Sequence, residues 1–159
     1  DEFLSRYLPA LLSQLAETPA VCCPGVNRVL ERLEEVTPLA PGLATGNYRG
    51  GAMLKLASAG LDPARFAHGA FGDDHVQRAR LVKLAAQRAS AHAGEKVSAV
   101  VVGDTPRDLE AARQNDLPCV LVGTGPLGPD ELRDLEPDLA LEDLTDTDRF
   151  LSWLASLDA

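Results

Sequence analysis

The sequence has few of the residues that mark several common protein classes. Its three cysteines, Cys22, Cys23 and Cys119, show neither an even disulfide framework nor the spacing of a zinc site or a C-x-x-C pair. This cysteine usage favours reduced thiols and predicts a cytoplasmic protein. No apolar run approaches the ~18 residues that a membrane span requires, so we expect no membrane partner.

Positive charge is also scarce. Lys and Arg number 15 against 24 Asp and Glu, which gives a net charge of −9. Nucleic acids and anionic membranes select for clustered cations, so we expect neither as a partner. Any phosphate that the protein binds is expected to be small and held in a local pocket. With 159 residues, 45% of them apolar, the chain can form one domain with a real core, and nothing in the sequence fixes an oligomeric state.

Helical and extended patterns alternate along the chain. A helical stripe covers residues 2–16, and a second amphipathic helix follows Pro24-Gly25. The predicted extended segments are Leu39–Thr45, Ala70-Phe71, Ser98–Val102, Pro118–Val122 and Leu139–Leu141. The predicted later helices are Arg49 to Gly60, Val76–His92, Pro106–Gln114, Pro129–Asp134 and a last one carrying Phe150. Continuous apolar strands separated by helices predict an α/β fold, with a Rossmann-like parallel sheet flanked by helices.

Two carboxylates follow the clearest strand. Asp104 comes directly after Val100-Val101-Val102-Gly103, and Asp108 lies within the next helical turn. Ligands gather at the carboxyl ends of parallel strands, and carboxylates this close favour a bound Mg²⁺. The alternative for Asp108 is structural, because Thr105, Pro106 and Asp108 form a good capping box. The residues alone leave the two interpretations at about equal weight.

Two further segments follow predicted strands. Thr45-Gly46-Asn47 could hold phosphate oxygens through a hydroxyl and backbone amides, although the same residues are common in ordinary strand-to-helix turns. The segment from Gly72 to Lys83 places cations at the head of a helix, where one could neutralise a phosphate. For any single cation there, a solvated helix face is the alternative.

Taken in order, these segments resemble the haloacid dehalogenase-like (HAD) hydrolase superfamily, in its phosphoglycolate phosphatase-like branch. The resemblance covers essentially the whole chain from Pro24. It implies that Thr45 is the catalytic hydroxyl of motif II, which binds the phosphoryl group together with Gly46 and Asn47. It also implies that Asp104 and Asp108 form the acidic pair of motif IV, which holds Mg²⁺ directly or through water.

The resemblance is looser at the basic residue of motif III. The family usually has Lys followed by Pro, and no such pair exists here. Some phosphoglycolate phosphatase-like members use an Arg in a similar Gly-Asp-Asp context. By that likeness Arg78 is the first choice for the catalytic cation, with Arg80 and Lys83 behind it.

Motif I, an Asp-x-Asp-x-Thr run that supplies the nucleophile, is missing. The only D-x-D is Asp146-Thr147-Asp148, which we reject because no buried strand precedes it. We therefore expect the sequence to be the C-terminal part of a longer polypeptide. On this hypothesis residues 1–20 are the remnant of a helical cap, and residues 21–159 are the HAD-like core without its first strand.

For the intact protein, the resemblance implies a Mg²⁺-dependent phosphatase acting on a small phosphorylated metabolite. An upstream Asp would attack phosphorus to form an aspartyl-phosphate, which water then hydrolyses. This chain alone is expected to be inactive. Two alternatives stay open: a HAD dehalogenase, which works without Mg²⁺, and a non-catalytic HAD-like binding or regulatory module.

Overall fold

A computed structural model describes residues 2–36, 41–66 and 68–158. The helices are α1 (Glu2–Glu17), α2 (Val26–Val36), α3 (Arg49–Ser58), α4 (Arg78–Ala93), α5 (Pro106–Arg113), α6 (Pro129–Arg133) and α7 (Thr147–Ala155). The strands are β1 (Val101–Gly103), β2 (Cys119–Val122) and β3 (Leu139–Leu141), and short 3-10 turns cover Pro63–Phe66 and Ser156–Asp158. Among the described residues, no helix combines the length and the apolarity needed to cross a membrane.

The three strands form one parallel sheet in the order β1-β2-β3. Val101 lies opposite Cys119, and Val120 lies opposite Leu139. Helix α5 connects β1 to β2, and α6 connects β2 to β3. The predicted α/β fold with a parallel sheet is therefore confirmed.

The side chains of β2 alternate between two apolar clusters, one on each face of the sheet. One cluster contains residues from α2, β2, β3, α7 and the loop before α7, namely Val29, Val120, Val122, Leu141, Leu144 and Phe150. The other contains residues from α5, β2 and α6, namely Leu109, Ala112, Cys119, Leu121 and Leu132. All four β2 residues are buried, which is the pattern expected for the inner strand of a sheet covered on both faces. This burial raises the pKa of the Cys119 thiol to about 12.

Strand β1 is shorter than predicted and pairs on one side. The prediction placed a strand over Ser98–Val102, whereas the ladder begins at Val101, whose amide donates to the Pro118 carbonyl at 2.9 Å. Pro118 has no amide hydrogen with which to continue the ladder towards Ser98. The other edge of β1 pairs with no strand among the described residues, and Val102 is 43% exposed. A parallel-sheet strand is normally covered on both faces, and the exposed Val102 departs from that pattern.

The predicted strand Leu39–Thr45 is reduced to one bridge. Residues 39 and 40 lie outside the described residues, and within 41–45 only Ala44 pairs, in parallel, with Ala70. The Ala70 amide donates to the Leu43 carbonyl at 2.7 Å, and the Thr45 amide donates to the Ala70 carbonyl at 3.0 Å. The predicted length was therefore wrong within 41–45, because a strand needs partners that this segment has at one point only. The extended piece predicted at Ala70 is confirmed as that partner.

Helix α1 packs against α3. Gly50 and Gly51 on α3 permit this close approach, because a Cβ on either would come within about 3 Å of the Leu8 or Tyr7 side chain. Next to these contacts the Tyr48 ring, at the start of α3, lies 5.5 Å from the Phe3 ring. The N-terminal helix thus lies beside the residues that follow Asn47.

Candidate functional site

Asp108 is buried at the third position of α5, and both of its carboxylate oxygens are in use. Its Oδ2 accepts hydrogen bonds from the backbone amides of Asp104 (3.2 Å) and Thr105 (3.1 Å) and from the Thr105 hydroxyl (2.7 Å). Its Oδ1 accepts a hydrogen bond from Nε of Arg78 at 2.8 Å. A Cβ on Gly103 would lie 2.3 Å from the Cβ of Asp108, so only glycine permits this approach. The capping interpretation of Asp108 is confirmed.

Asp104 has a different environment. Its side chain is partly buried at the end of β1 and accepts no hydrogen bond from any residue in the described ranges. Its Oδ2 faces Gly125 in the loop after β2, and a Cβ on Gly125 would lie 2.6 Å from that oxygen. The glycine leaves room for the carboxylate, whose lone pairs are therefore available to a ligand.

These contacts decide how a metal ion could be held. In the part of the chain that the structure describes, no three His, Cys, Asp or Glu side chains form a ready metal site. Mg²⁺ commonly takes only one or two protein carboxylates and completes its octahedron with water and substrate phosphate. Asp104 fits such an ion as a direct ligand, whereas the hydrogen-bonded oxygens of Asp108 have little remaining capacity.

The segment after the Ala44 bridge forms a small polar network. Thr45 Oγ1 accepts hydrogen bonds from the backbone amide of Asn47 at 3.1 Å and from its side-chain Nδ2 at 2.9 Å. The other side-chain atom, Asn47 Oδ1, accepts a hydrogen bond from Lys55 Nζ at 2.7 Å. Lys55 lies on α3 and was not among the candidate residues of the sequence analysis. Its only sequence signal is that a helical side chain leans towards the N-terminus of its helix, where Asn47 lies.

The loop before α4 contacts the residues of this network. The Gly72 amide donates to the Asn47 carbonyl at 2.8 Å, and a Cβ on Gly72 would lie 2.2 Å from the Gly46 carbonyl oxygen. Asp73 Oδ1 accepts a hydrogen bond from the Arg49 backbone amide at 2.7 Å. The loop therefore packs directly against the residues that follow Thr45.

Arg78 is the one predicted cation of the three that reaches the acidic pair. Helix α4 begins at Arg78 rather than at the predicted Val76, which is 93% exposed in the preceding loop. The Arg78 guanidinium forms an ion pair with Asp108 across 2.5 Å. Within the described residues Arg80 and Lys83 are exposed and form no ion pair. The structure thus brings Arg78, Asp104 and Asp108 together, while Asn47 contacts Gly72 in the loop that precedes Arg78.

The rejected D-x-D segment has a structural role. Asp146 is the N-cap of α7, and its Oδ1 accepts a hydrogen bond from the Arg149 amide at 3.2 Å. Thr147 is buried, and its hydroxyl donates to the Leu144 carbonyl at 3.1 Å. This segment therefore lies at the start of α7, after a loop, and not at the end of a strand.

A second ion pair, absent from the sequence analysis, holds the loop. Arg88 on α4 donates to both carboxylate oxygens of Asp74 at 2.7 and 2.8 Å and to the Gly69 carbonyl at 2.7 Å. Asp74 also accepts a hydrogen bond from the Phe71 amide at 2.9 Å. The hydrogen bonds from Arg88 are the main cause that lowers the pKa of Asp74 from its ordinary 3.8 to about 2.

This lowered pKa predicts a pH-dependent stability difference. The ionised Asp74 stabilises the folded chain above pH 4, and this contribution is lost as pH falls from about 4 towards about 2. We expect the substitution Asp74→Asn to lower the urea midpoint clearly at pH 7 and much less at pH 2.5. The control is Asp134→Asn, since the Asp134 side chain is exposed and makes no hydrogen bond within the described residues. An equal gap at both pH values would contradict the assignment.

Comparisons with known proteins find a family model and a solved structure that this chain resembles. Residues 78–147 match the sequence model of the HAD-hydrolase-like family, a segment that contains Arg78, Asp104 and Asp108. Among solved structures, a protein from Bacteroides vulgatus with a provisional assignment as a beta-phosphoglucomutase matches with a TM-score of 0.64 and 21% sequence identity. The match covers 84% of this chain and 54% of that chain, so this chain spans about half the length of that protein. No curated protein matches the sequence.

Proposed function

We propose that the chain belongs to the HAD-like hydrolase superfamily and that the intact protein is a Mg²⁺-dependent phosphatase acting on a small phosphorylated metabolite; the family match over residues 78–147 and the shared fold support this. The observation that carries the proposal is the contrast between two neighbouring carboxylates. The Asp104 carboxylate, at the end of β1, has no partner among the described residues, whereas Asp108 is held by α5 and by Arg78. Capping accounts for Asp108 but gives no role to the Asp104 carboxylate, which a metal ion would use.

In this proposal each residue of the group has its own role. Asp104 would hold Mg²⁺ directly, and the ion would offset the negative charge of the transferring phosphoryl group. Asp108 would position Asp104, because its Oδ2 accepts the Asp104 amide. Arg78 would be the cation facing the phosphoryl group, since its side chain is 40% exposed although one edge binds Asp108.

Thr45, Gly46 and Asn47 would bind the phosphoryl oxygens. The Thr45 hydroxyl already accepts two hydrogen bonds from Asn47, so its proton is available to an anionic oxygen. Gly46 is exposed, and a Cβ there would meet no atom within 4 Å, so its backbone is open to a ligand. The Gly72 amide, in the loop that leads to Arg78, donates to the Asn47 carbonyl and so holds that loop against this segment.

The nucleophile would be supplied by a strand upstream of this sequence. Two features of the described residues support this: none of them pairs with the other edge of β1, beside exposed Val102, and among them Ala44 pairs only with Ala70. A strand ending in Asp-x-Asp-x-Thr and inserted at the β1 edge would bring its first Asp to the end of the sheet that carries Asp104. Residues 1–20 would then be the end of a helical cap over the site.

The proposal predicts a turnover pattern that can be measured directly. A polypeptide that includes an upstream Asp-x-Asp-x-Thr strand should hydrolyse p-nitrophenyl phosphate with Mg²⁺ and lose this activity when EDTA is added. The 159-residue chain alone should show no turnover in either condition. Turnover by the chain alone would mean that the nucleophile has been misplaced.

The same assay separates the alternatives. Release of halide from a 2-haloacid, unaffected by chelator, would identify a dehalogenase instead. Phosphate binding without turnover in the longer polypeptide would identify a non-catalytic module, a reading that the lack of a strand-end D-x-D in these 159 residues favours.

A further inference from the structure

Lys55 is a half-buried cation beside the proposed phosphoryl-binding segment. Resting on the proposed function, we propose that Lys55 is a positioning residue: its ammonium group orients the Asn47 side-chain amide, which in turn makes the Thr45 hydroxyl a hydrogen-bond donor to the bound phosphoryl group. The three side chains form one continuous chain of hydrogen bonds from α3 to the end of the Ala44 bridge.

The Thr45 hydroxyl is the end of this chain. A hydroxyl oxygen can accept two hydrogen bonds and donate one. Thr45 Oγ1 accepts from Asn47 N at 3.1 Å and from Asn47 Nδ2 at 2.9 Å, which uses both lone pairs. Its proton is donated to no acceptor in the described ranges. A hydroxyl in this state can serve a ligand only as a donor, which suits a phosphoryl oxygen.

Lys55 determines which way the Asn47 amide faces. An ammonium group can only donate, so the amide must turn its carbonyl oxygen to Lys55, and Nζ lies 2.7 Å from that Oδ1. The NH₂ group of the amide then faces Thr45. Without the ammonium group the amide is free to turn over and present its oxygen to Thr45. The Thr45 proton would then be donated to Asn47 and lost to the ligand.

Within the described residues Lys55 forms no salt bridge. Its hydrogen bond to Asn47 is therefore not shared with a carboxylate, and it places the ammonium charge beside the segment after Thr45.

The test is a titration of the 159-residue chain with inorganic phosphate, followed by the NMR signals of the Thr45 and Gly46 amides. We expect Lys55→Met and Lys55→Gln each to weaken phosphate binding about tenfold, as expected for the loss of a charge-assisted hydrogen bond. Lys55→Arg should restore most of the affinity. Lys96→Met is the matched control, because Lys96 is exposed without a hydrogen bond or ion pair in the described ranges, and should bind like the unaltered chain.

A double substitution separates positioning from direct contact. If Lys55 acts through Asn47, then Asn47→Ala and Lys55→Met together should weaken binding no more than Asn47→Ala alone. Additive losses would mean that Lys55 contacts phosphate itself and would overturn the positioning role. Unchanged binding in both Lys55→Met and Lys55→Gln would overturn it as well. If neither the unaltered chain nor the polypeptide that includes the upstream strand binds phosphate, the proposed function fails and the inference fails with it.

Discussion

The substitution Asp104→Asn in the intact protein is expected to lower Mg²⁺-stimulated hydrolysis of p-nitrophenyl phosphate by about 10³-fold. A bound metal contributes several kcal/mol to stabilising transition-state charge, and about 1.4 kcal/mol corresponds to a tenfold change in rate. Asparagine retains the shape of the side chain but removes the charge that holds the ion. The measurement is initial rate against Mg²⁺ concentration, for the variant and the unaltered protein.

The same substitution should leave the fold intact. The Asp104 carboxylate accepts no hydrogen bond from the described residues. The free energy of unfolding of the Asp104→Asn protein should therefore differ from that of the unaltered protein by less than about 0.5 kcal/mol. Asp134→Asn removes one exposed carboxylate elsewhere and should leave the rate unchanged. Near-normal Mg²⁺-dependent turnover by the Asp104→Asn protein would refute the metal-ligand role.

The substitution Asp108→Ala, unlike Asp104→Asn, is expected to lower the stability of the fold, by about 3 kcal/mol. The buried carboxylate satisfies two backbone amides and a hydroxyl, and its loss also leaves the Arg78 guanidinium without its partner. Breaking a buried ion pair costs about 3–5 kcal/mol, and the partial exposure of Arg78 places the effect at the lower end. Urea unfolding of the 159-residue chain at pH 7 measures it.

Two variants test the cause of that loss. Arg78→Met removes the ion pair but leaves the three hydrogen bonds to Asp108 Oδ2, so we expect a smaller loss than for Asp108→Ala. Glu110→Ala removes an exposed carboxylate two residues along α5 and should change little. If Asp108→Ala unfolds at the same urea concentration as the unaltered chain, the capping role assigned to Asp108 is wrong.

The sequence predicted the order of elements well because the signals for them are local. Alternation of apolar runs with helical patterns was sufficient for the α/β class, and β3 was predicted residue for residue. The capping residues Thr105 and Pro106 predicted the start of α5 for the same reason. Strand lengths were less predictable: Ser98–Val102 and Leu39–Thr45 were too long, because a strand extends only as far as its neighbours do.

Local pattern by itself determined that this chain forms a parallel sheet with Asp104, Asp108 and Thr45 after its extended segments. Only the tertiary structure shows which of these side chains are already held by other residues and which could bind a ligand. Arg78 meets Asp108 across 30 residues of sequence, and Lys55 reaches Asn47 across eight. Spacing along a chain does not report which way two distant side chains turn, so only the folded arrangement separates the engaged carboxylate from the available one.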